Sequence, residues 1–343
     1  MRVGVWRWMR LISGLVFTLV CLWMALRHVR IDGLKAVLRG VQWSWLGLAL
    51  GSLSAGYTVR IYRWWWMLRF LNPRVLLRSC VGPLIAGVAI NNVMPFRAGD
   101  ALRVLGFQQQ LDTPSASLLA SLLIERILDL TVLVGIFLIG LLGLKPHGIP
   151  AVYLHTASVL VAMGVLGWAL LLFLTDPLRS LLRKLAHNRV LTARDWSSRV
   201  ELQIERLFLA LNIVRAPGRA LRLLILSAVV WACEGAILVF VAQGLHYQGA
   251  PLGPWFAMAI GSLSTLIPST PGYVGTFDFF TISGLLAYGA SASAAAAVAF
   301  IAHAVLWLPL TATGVTYLLL VYPARLRNPF AAATSAARGQ ERT

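Results

Sequence analysis

The sequence predicts an all-α integral membrane protein, a polytopic bundle of about seven or eight transmembrane helices with two broken, re-entrant segments. Three observations support this fold class. Of the 343 residues, 59% are hydrophobic and 12% are charged, whereas soluble domains have about 45–50% apolar and about 25% charged residues. Apolar runs of about 20 residues, the length that crosses a bilayer, recur along the chain. Two of the apolar stretches are interrupted by proline and glycine.

The composition and the cysteine content exclude several other classes. Disorder requires low hydrophobicity, and a disulfide scaffold requires dense cysteine. The chain has three cysteines, Cys21, Cys80 and Cys233, each in an apolar context. They have no CxxC or metal-ligand spacing, and the sequence contains no Gly-x-x-x-x-Gly-Lys nucleotide motif. We therefore predict no metal site, no cofactor and no catalytic residues.

The formal charge of +18 comes from 30 basic and 12 acidic residues. In membrane proteins, basic residues collect in cytoplasmic loops, where they meet anionic lipid. No folded basic domain remains once the apolar spans are removed, so nucleic acid is not an expected partner. The expected partner is the anionic inner leaflet.

The apolar runs define the predicted spans in chain order. The first, Leu11–Leu26, follows three arginines and has no small-x-small cleavage site after it, so we interpret it as a retained helix and not as a signal peptide. Arg60, Arg63 and the Trp64–Trp66 cluster after the second span are typical of anchors at a membrane interface. The small residues of Gly289–Ala304 favour close packing at the centre of the bundle. The other predicted spans are Trp43–Val59, Val75–Met94, Leu118–Leu142, Val152–Leu174, Leu221–Gln243, Pro254–Pro268 and Ala292–Val321, with a broken stretch at Pro268–Phe280.

The distribution of charge predicts the orientation in the inner membrane. The segment Thr175–Arg222 has ten basic and four acidic residues, whereas the loops Lys145–Ala151 and Gly244–Gly253 share one lysine. This segment and both termini are therefore predicted to be cytoplasmic. From Asp176, a basic amphipathic helix is predicted to lie on the anionic leaflet, with a solvated linker helix as the alternative. Residues 1–329 form one predicted membrane domain, and 330–343 a disordered tail.

Two interruptions occupy similar places in the two halves of the chain. The first is Asn91–Asp100 and the second is Pro268–Asp278, and each contains Pro-x-x-x-Gly followed by an acid. Pro95 and Pro271 lie about half the chain apart. Within a bilayer, broken backbone is tolerated only where protein or a water-filled cavity satisfies its polar groups. Paired breaks therefore predict a transporter's binding site; the alternative is a pair of ordinary kinks.

Ionisable residues lie inside the predicted spans. Glu125, Arg126 and Asp129 share one stretch, Glu234 lies in the middle of a span, and His303 lies in the last helix. Such residues are costly in lipid and usually face a cavity or a partner. The alternatives are a self-neutralised cluster near the interface and, for His303, an interhelical hydrogen bond.

The chain resembles the lysylphosphatidylglycerol synthase transmembrane-region family, the flippase-like membrane part of multiple-peptide-resistance factors. The resemblance spans roughly residues 10–322 and lies in three motifs. The first, N-x-x-x-P-x-R-x-G-E-x-x-R, corresponds to Asn91, Pro95, Arg97, Gly99, Asp100 and Arg103. The second, E-R-x-x-D, corresponds to Glu125, Arg126 and Asp129, and the third, P-G-G-x-G-x-x-E, to Pro271, Gly272, Gly275 and Asp278.

Four positions depart from the family pattern: Asp100 and Asp278 replace Glu, Tyr273 replaces Gly, and His303 lies where relatives are expected to have Arg. The resemblance implies a re-entrant helical fold and a role in moving or presenting an amphiphilic lipid between leaflets. Because the sequence ends soon after its last predicted span, we expect no aminoacyl-transferase domain and no lysyl transfer.

The leading hypothesis from the sequence is a flippase-like protein for a phospholipid or a polyprenyl-phosphate lipid. Arg97, Arg103 and Arg126 would bind an anionic headgroup, because guanidinium pairs with phosphate in a bidentate way. Two alternatives are an accessory subunit that delivers lipid to a partner glycosyl- or aminoacyl-transferase and a membrane-embedded headgroup enzyme. A homo-oligomer is a further possible assembly. The candidate headgroup site comprises Asn91, Asn92, Pro95, Arg97, Gly99, Asp100, Arg103, Glu125, Arg126, Asp129, Glu234, Pro271, Gly272, Gly275, Asp278 and His303.

Overall fold

The computed structural model describes residues 19–24, 26–27, 31–94, 97–144, 151–173, 175–187, 194–267 and 270–322. Every regular element in these ranges is helical. Most of the predicted first span, the predicted tail, Pro95 and Pro268 lie outside the described residues. The helices are α1 (Ile31–Arg39), α2 (Trp43–Leu71), α3 (Leu77–Val93), α4 (Ala98–Leu105), α5 (Gln108–Leu111), α6 (Ser115–Leu142), α7 (Ala151–Leu172), α8 (Thr175–His187), α9 (Arg194–Leu211), α10 (Pro217–Gly244), α11 (Gly253–Ser264), α12 (Thr276–Ala287) and α13 (Ala292–Thr316).

Several helices have the length of a membrane span. Within the described ranges, His155–Leu172, Pro217–Gly244 and Ala292–Val321 are long and apolar enough to cross a bilayer. Helices α2 and α6, of 29 and 28 residues, are as long but contain internal charges. The architecture is that of an all-α, multi-pass membrane protein, as the sequence predicts.

Helix α13 lies at the centre of the bundle. It packs against α1, α2, α3, α10 and α12, and its residues from Ala295 to Ala299 are at most 1% exposed. Small side chains allow helices to approach closely, so the predicted central position of this helix is confirmed.

The second break is the tip of a helical hairpin. Helices α11 and α12 have 12 residues each, or about 18 Å, which is short of the roughly 30 Å hydrocarbon core. They pack along each other, and the N–H of Ala250 donates to the carbonyl of Tyr288 at 3.0 Å. The start of α11 and the end of α12 therefore lie at the same level, which is the geometry of a re-entrant hairpin.

The predicted broken stretch Pro268–Phe280 is too long at its C-terminal end. Helix α12 begins at Thr276, because the Asp278 carboxylate accepts the N–H of Gly275 at 2.8 Å and caps the helix. The break in the described part of this stretch is therefore the turn around Pro271–Tyr273.

The first break forms a tighter hairpin between α3 and α4. Helix α4 has eight residues, and the chain turns at Arg97, whose φ of 52° is left-handed. Gly99 lies directly on Gly87: a Cβ at Gly99 would be 1.7 Å from the Gly87 carbonyl oxygen. Only glycine fits at this crossing.

We expect Gly99→Ala to open this hairpin and to lower the free energy of unfolding by about 1–3 kcal/mol, as overpacking does in other cores. Thermal unfolding of the detergent-purified protein measures the change. The matched control is Gly51→Ala in α2, where an added Cβ meets nothing within 4 Å. Equal melting temperatures for Gly99→Ala and wild type would contradict this packing.

The basic segment after α7 forms two paired helices. Helix α8 begins at Thr175, one residue before the predicted N-cap, and α9 packs against it. Arg179 forms an ion pair with Glu205, and Arg215 donates to Asp176 at 2.9 Å. These ion pairs hold α8 in place. The contact of α8 with the inner leaflet stays a prediction.

Candidate functional site

A cavity of about 200 Å³ lies where the two breaks meet the long helices. Both breaks contribute to its wall, together with α2, α3, α6, α10 and α13. Apart from two aliphatic side chains, its lining comprises Tyr57, Arg60, Asn91, Asn92, Arg97, Arg126, Asp129, Trp231, Glu234, Ser262, Thr265, Gly272, Tyr273, Phe277, His303 and Trp307.

The two breaks contact each other through Trp307 of α13. The indole N–H of Trp307 donates to the carbonyl of Asn92 at 3.3 Å. A Cβ at Gly272 would lie 2.6 Å from that indole nitrogen and 3.2 Å from the Asn92 oxygen. Gly272 also has a φ of 69°, so this close approach requires glycine. The broken segments share one wall of the cavity, as paired breaks in transporters do.

Asn91 orders the first break. Its Oδ1 accepts the N–H groups of Gly99 at 2.8 Å and Asp100 at 3.2 Å, and its Nδ2 donates to the Asp100 carboxylate at 3.0 Å. The same carboxylate accepts two hydrogen bonds from Arg126, at 2.8 and 3.0 Å. One amide therefore holds the acid that neutralises Arg126.

A buried ion cluster adjoins the cavity, and its member Asp129 forms part of the cavity wall. Arg63 is fully buried and lies 2.6 Å from Asp129 and 3.5 Å from Glu125. It also donates to Ser227 at 2.5 Å. Arg103 donates to Glu125 at 3.0 Å. Two arginines and two acids thus neutralise each other in the core.

This cluster corrects the interface-anchor interpretation of Arg60 and Arg63. Both arginines point into the bundle. Arg60 lines the cavity and forms an ion pair with Glu234, and its guanidinium lies 5.0 Å from the ring centroid of Tyr57 and 5.6 Å from that of Trp231. Aromatic faces and a carboxylate together stabilise a cation out of water.

His303 joins the second break to α13. Its Nδ1 lies 2.8 Å from Oδ1 of Asp278, and its Nε2 lies 2.9 Å from the carbonyl oxygen of Gly272. Asp278 is 1% exposed. The interhelical hydrogen bond foreseen for His303 is present, and it ends in the cavity wall.

Arg97 differs from the other arginines of the site. Its guanidinium donates to the backbone carbonyl of Thr265 at 3.0 Å, and no carboxylate in the described part of the chain pairs with it. In addition, the indole N–H of Trp231, another wall residue, is buried without an acceptor among the described residues. Nε of Arg60 is likewise buried without an acceptor among the described residues. The described wall therefore offers a cation without a carboxylate partner, together with N–H donors that an anion would satisfy.

The family follows from a match over most of the sequence. A family model described as "Lysylphosphatidylglycerol synthase TM region" matches residues 11–314. The chain belongs to this family. The resemblance predicted from the motifs is thereby confirmed.

A curated relative of this lysylphosphatidylglycerol synthase transmembrane-region protein is Glycosyltransferase AglD of Haloferax volcanii. The two are 27% identical over 345 aligned residues, which cover 89% of this chain and 53% of the relative. The chain thus spans about half the length of the relative it matches.

The family motifs separate into lining and supporting residues in the structure. Eight predicted site residues line the cavity, and seven support it from behind, whereas Pro95 lies outside the described residues. The lining residues are Asn91, Asn92, Arg97, Arg126, Asp129, Glu234, Gly272 and His303. The supporting residues are Gly99, Asp100, Arg103, Glu125, Pro271, Gly275 and Asp278.

Sequence reasoning missed several wall residues, namely Tyr57, Arg60, Thr265, Trp231 and Trp307, and the buried Arg63. One signal was available for α2. Tyr57, Arg60 and Arg63 recur every three residues, which places them on one helix face. Trp307 and Thr265 carry no such signal, because their positions depend on tertiary packing.

Proposed function

We propose that the protein binds the anionic headgroup of a membrane lipid in this cavity and moves or presents that lipid between leaflets of the inner membrane. The observation that carries the proposal is Arg97, a cation in the cavity wall without a carboxylate partner among the described residues. Guanidinium matches phosphate in a bidentate way. The acyl chains would stay in the surrounding lipid.

Of the three arginines that the sequence suggests as headgroup ligands, two are retained in this proposal. Arg103 donates to Glu125 and stacks 4.4 Å from the ring centroid of Trp64, so it is committed to the buried cluster. Arg126 lines the cavity and its side chain is 38% exposed. Arg97 is therefore the primary phosphate ligand and Arg126 the secondary one.

The ligand class follows from the same contacts. Phosphate in a phospholipid or a polyprenyl-phosphate lipid presents oxygens to both arginines, and the free indole N–H of Trp231 adds a donor. Movement would be passive or ion-coupled. By the distribution of charge, the basic segment Thr175–Arg222 and the C-terminus would lie on the cytoplasmic side. The cavity residues would bind the headgroup without altering it chemically.

Reconstitution tests this function. Purified protein in liposomes is given fluorescent phosphatidylglycerol or labelled polyprenyl phosphate in one leaflet, and accessibility to a quencher in the other leaflet is followed. We expect protein-dependent translocation of an anionic lipid, above the rate in protein-free liposomes. No translocation of either lipid would contradict transport.

A second candidate is an accessory role, in which the protein delivers lipid to a glycosyltransferase. It is favoured by the relative, which is named a glycosyltransferase and has about half its length outside the match. Co-purification of a stoichiometric transferase, with lipid binding but no translocation by the protein alone, would support this role. A new covalent lipid product formed by the pure protein, detected by mass spectrometry, would instead indicate catalysis.

A further inference from the structure

The two hydrogen-bond contacts of His303 require one more proton than a neutral imidazole and an ionised Asp278 carboxylate provide. Both ring nitrogens face acceptors, the carboxylate of Asp278 at 2.8 Å and the carbonyl of Gly272 at 2.9 Å. A neutral imidazole has a single N–H. With Asp278 ionised, a neutral His303 can satisfy only one of the two contacts.

One added proton satisfies both contacts. It can lie on the ring, as imidazolium beside a carboxylate, or on Asp278, whose hydroxyl then donates to Nδ1 while Nε2–H donates to Gly272. These two forms share one net charge, so the proton belongs to the pair. Binding it changes the charge of the His303–Asp278 pair from −1 to 0.

Without a bound headgroup, the charges of the cavity and its buried cluster sum to zero only when the His303–Asp278 pair is deprotonated. With the pair at −1, the five arginines of the cavity and its buried cluster equal the five acids in number. The arginines are Arg60, Arg63, Arg97, Arg103 and Arg126, and the acids are Asp100, Glu125, Asp129, Glu234 and Asp278. A bound headgroup of charge −1 breaks this balance, and a proton on the pair restores it. Net charge is costly inside a membrane.

We propose that one proton binds to the His303–Asp278 pair together with one anionic headgroup, so that H⁺ is the coupling ion of the site. This inference rests on the proposed function. The proton comes from water through the cavity, because the His303 side chain is 14% exposed. In the deprotonated pair, the single ring N–H of His303 donates to the Asp278 carboxylate, because a charged acceptor gives the stronger hydrogen bond. Protonation then adds the Nε2–H bond to the Gly272 carbonyl and ties the second break to α13, and release of the proton frees that carbonyl.

Other titratable groups near His303 do not replace the pair. The cavity groups on neighbouring elements are Tyr57 and Arg60 of α2, Arg97 and Tyr273 of the breaks, Arg126 and Asp129 of α6, and Glu234 of α10. The four acids besides Asp278 each have an arginine partner. Helix α1 also packs on α13, but its Asp32, Lys35 and Arg39 do not line the cavity.

The test is calorimetric binding of dihexanoylphosphatidylglycerol to the full chain in phosphatidylcholine nanodiscs, from about pH 5.5 to about pH 8.5, where histidine charge changes. Two buffers of different ionisation enthalpy give the number of protons taken up. We expect wild type to take up protons on binding and to bind about tenfold more weakly at the alkaline end.

Two variants each hold the pair at one of its two charge states. His303→Gln keeps the pair at −1, so weak binding at every pH and no proton uptake are expected. Asp278→Asn keeps it at 0 and preserves an acceptor for the Gly275 N–H, so tight binding at every pH is expected. The control His155→Gln replaces an exposed histidine of α7. It should show the same proton uptake on binding, and the same change of affinity with pH, as wild type.

The outcomes separate this inference from the proposed function. Binding without proton uptake, or uptake that persists in His303→Gln, overturns proton coupling and leaves the headgroup site intact. Absence of binding by wild type at every pH overturns the proposed function and the coupling with it. Equal affinity for glycerophosphoglycerol, the same headgroup without acyl chains, contradicts a lipid ligand.

Discussion

Arg97→Gln is expected to weaken binding of an anionic headgroup by about 30- to 150-fold, equivalent to about 2–3 kcal/mol. The side chain is the cavity cation without a carboxylate partner in the described part of the chain, so removing its charge removes attraction and leaves no acid unpaired. Stability should therefore change little while affinity falls. Binding of dihexanoylphosphatidylglycerol to nanodisc-embedded protein measures the loss.

Two further variants separate charge from geometry. Arg97→Lys keeps the charge but loses the planar fork of the guanidinium, so an intermediate loss of affinity is expected. Arg74→Gln removes an exposed arginine between α2 and α3 and should bind as wild type does. Equal affinity in Arg97→Gln and Arg74→Gln would exclude Arg97 as the headgroup ligand.

Arg63→Met is expected to lower the free energy of unfolding by about 3–5 kcal/mol, the largest effect on stability that we predict. Arg63 is fully buried and pairs with both Asp129 and Glu125. Methionine fills much of the space but leaves Asp129 as a buried carboxylate without its cation. Thermal or denaturant unfolding in detergent measures the difference.

The control and the rescue for this prediction lie in the same two helices. Arg69→Met changes an exposed arginine of α2 and should cost less than about 1 kcal/mol. Arg63→Met combined with Asp129→Asn removes both charges, so a double-mutant cycle should recover part of the loss. A loss for Arg63→Met no larger than that of Arg69→Met would mean that the buried ion cluster does not stabilise the fold.

Local sequence signals predicted the membrane fold and the position of the breaks. Hydrophobic length defined the spans, and Pro-x-x-x-Gly with a following acid identified both hairpin tips. The small residues around Ala296 and Ala299 indicated that the last helix is central. These features depend on residues close together in the chain, so they can be read without tertiary information.

The pairing of buried charges could not be read in the same way. Arg60 and Arg63 precede a tryptophan cluster, a pattern that also describes an interface, and only their contacts with Glu234 and Asp129 distinguish the two cases. Arg103 matched a family motif but lies behind the cavity wall, because the crossing of Gly99 on Gly87 turns it towards Glu125. Such assignments depend on how hairpins pack, which pattern and spacing do not specify.

The most direct measurement of the central claim is an experimental structure of the protein in nanodiscs containing phosphatidylglycerol. The account predicts headgroup density in the cavity between the two breaks, with its phosphate against the guanidinium of Arg97. An occupied lipid whose phosphate lies elsewhere, with Arg97 still bound only to the carbonyl of Thr265, would contradict it.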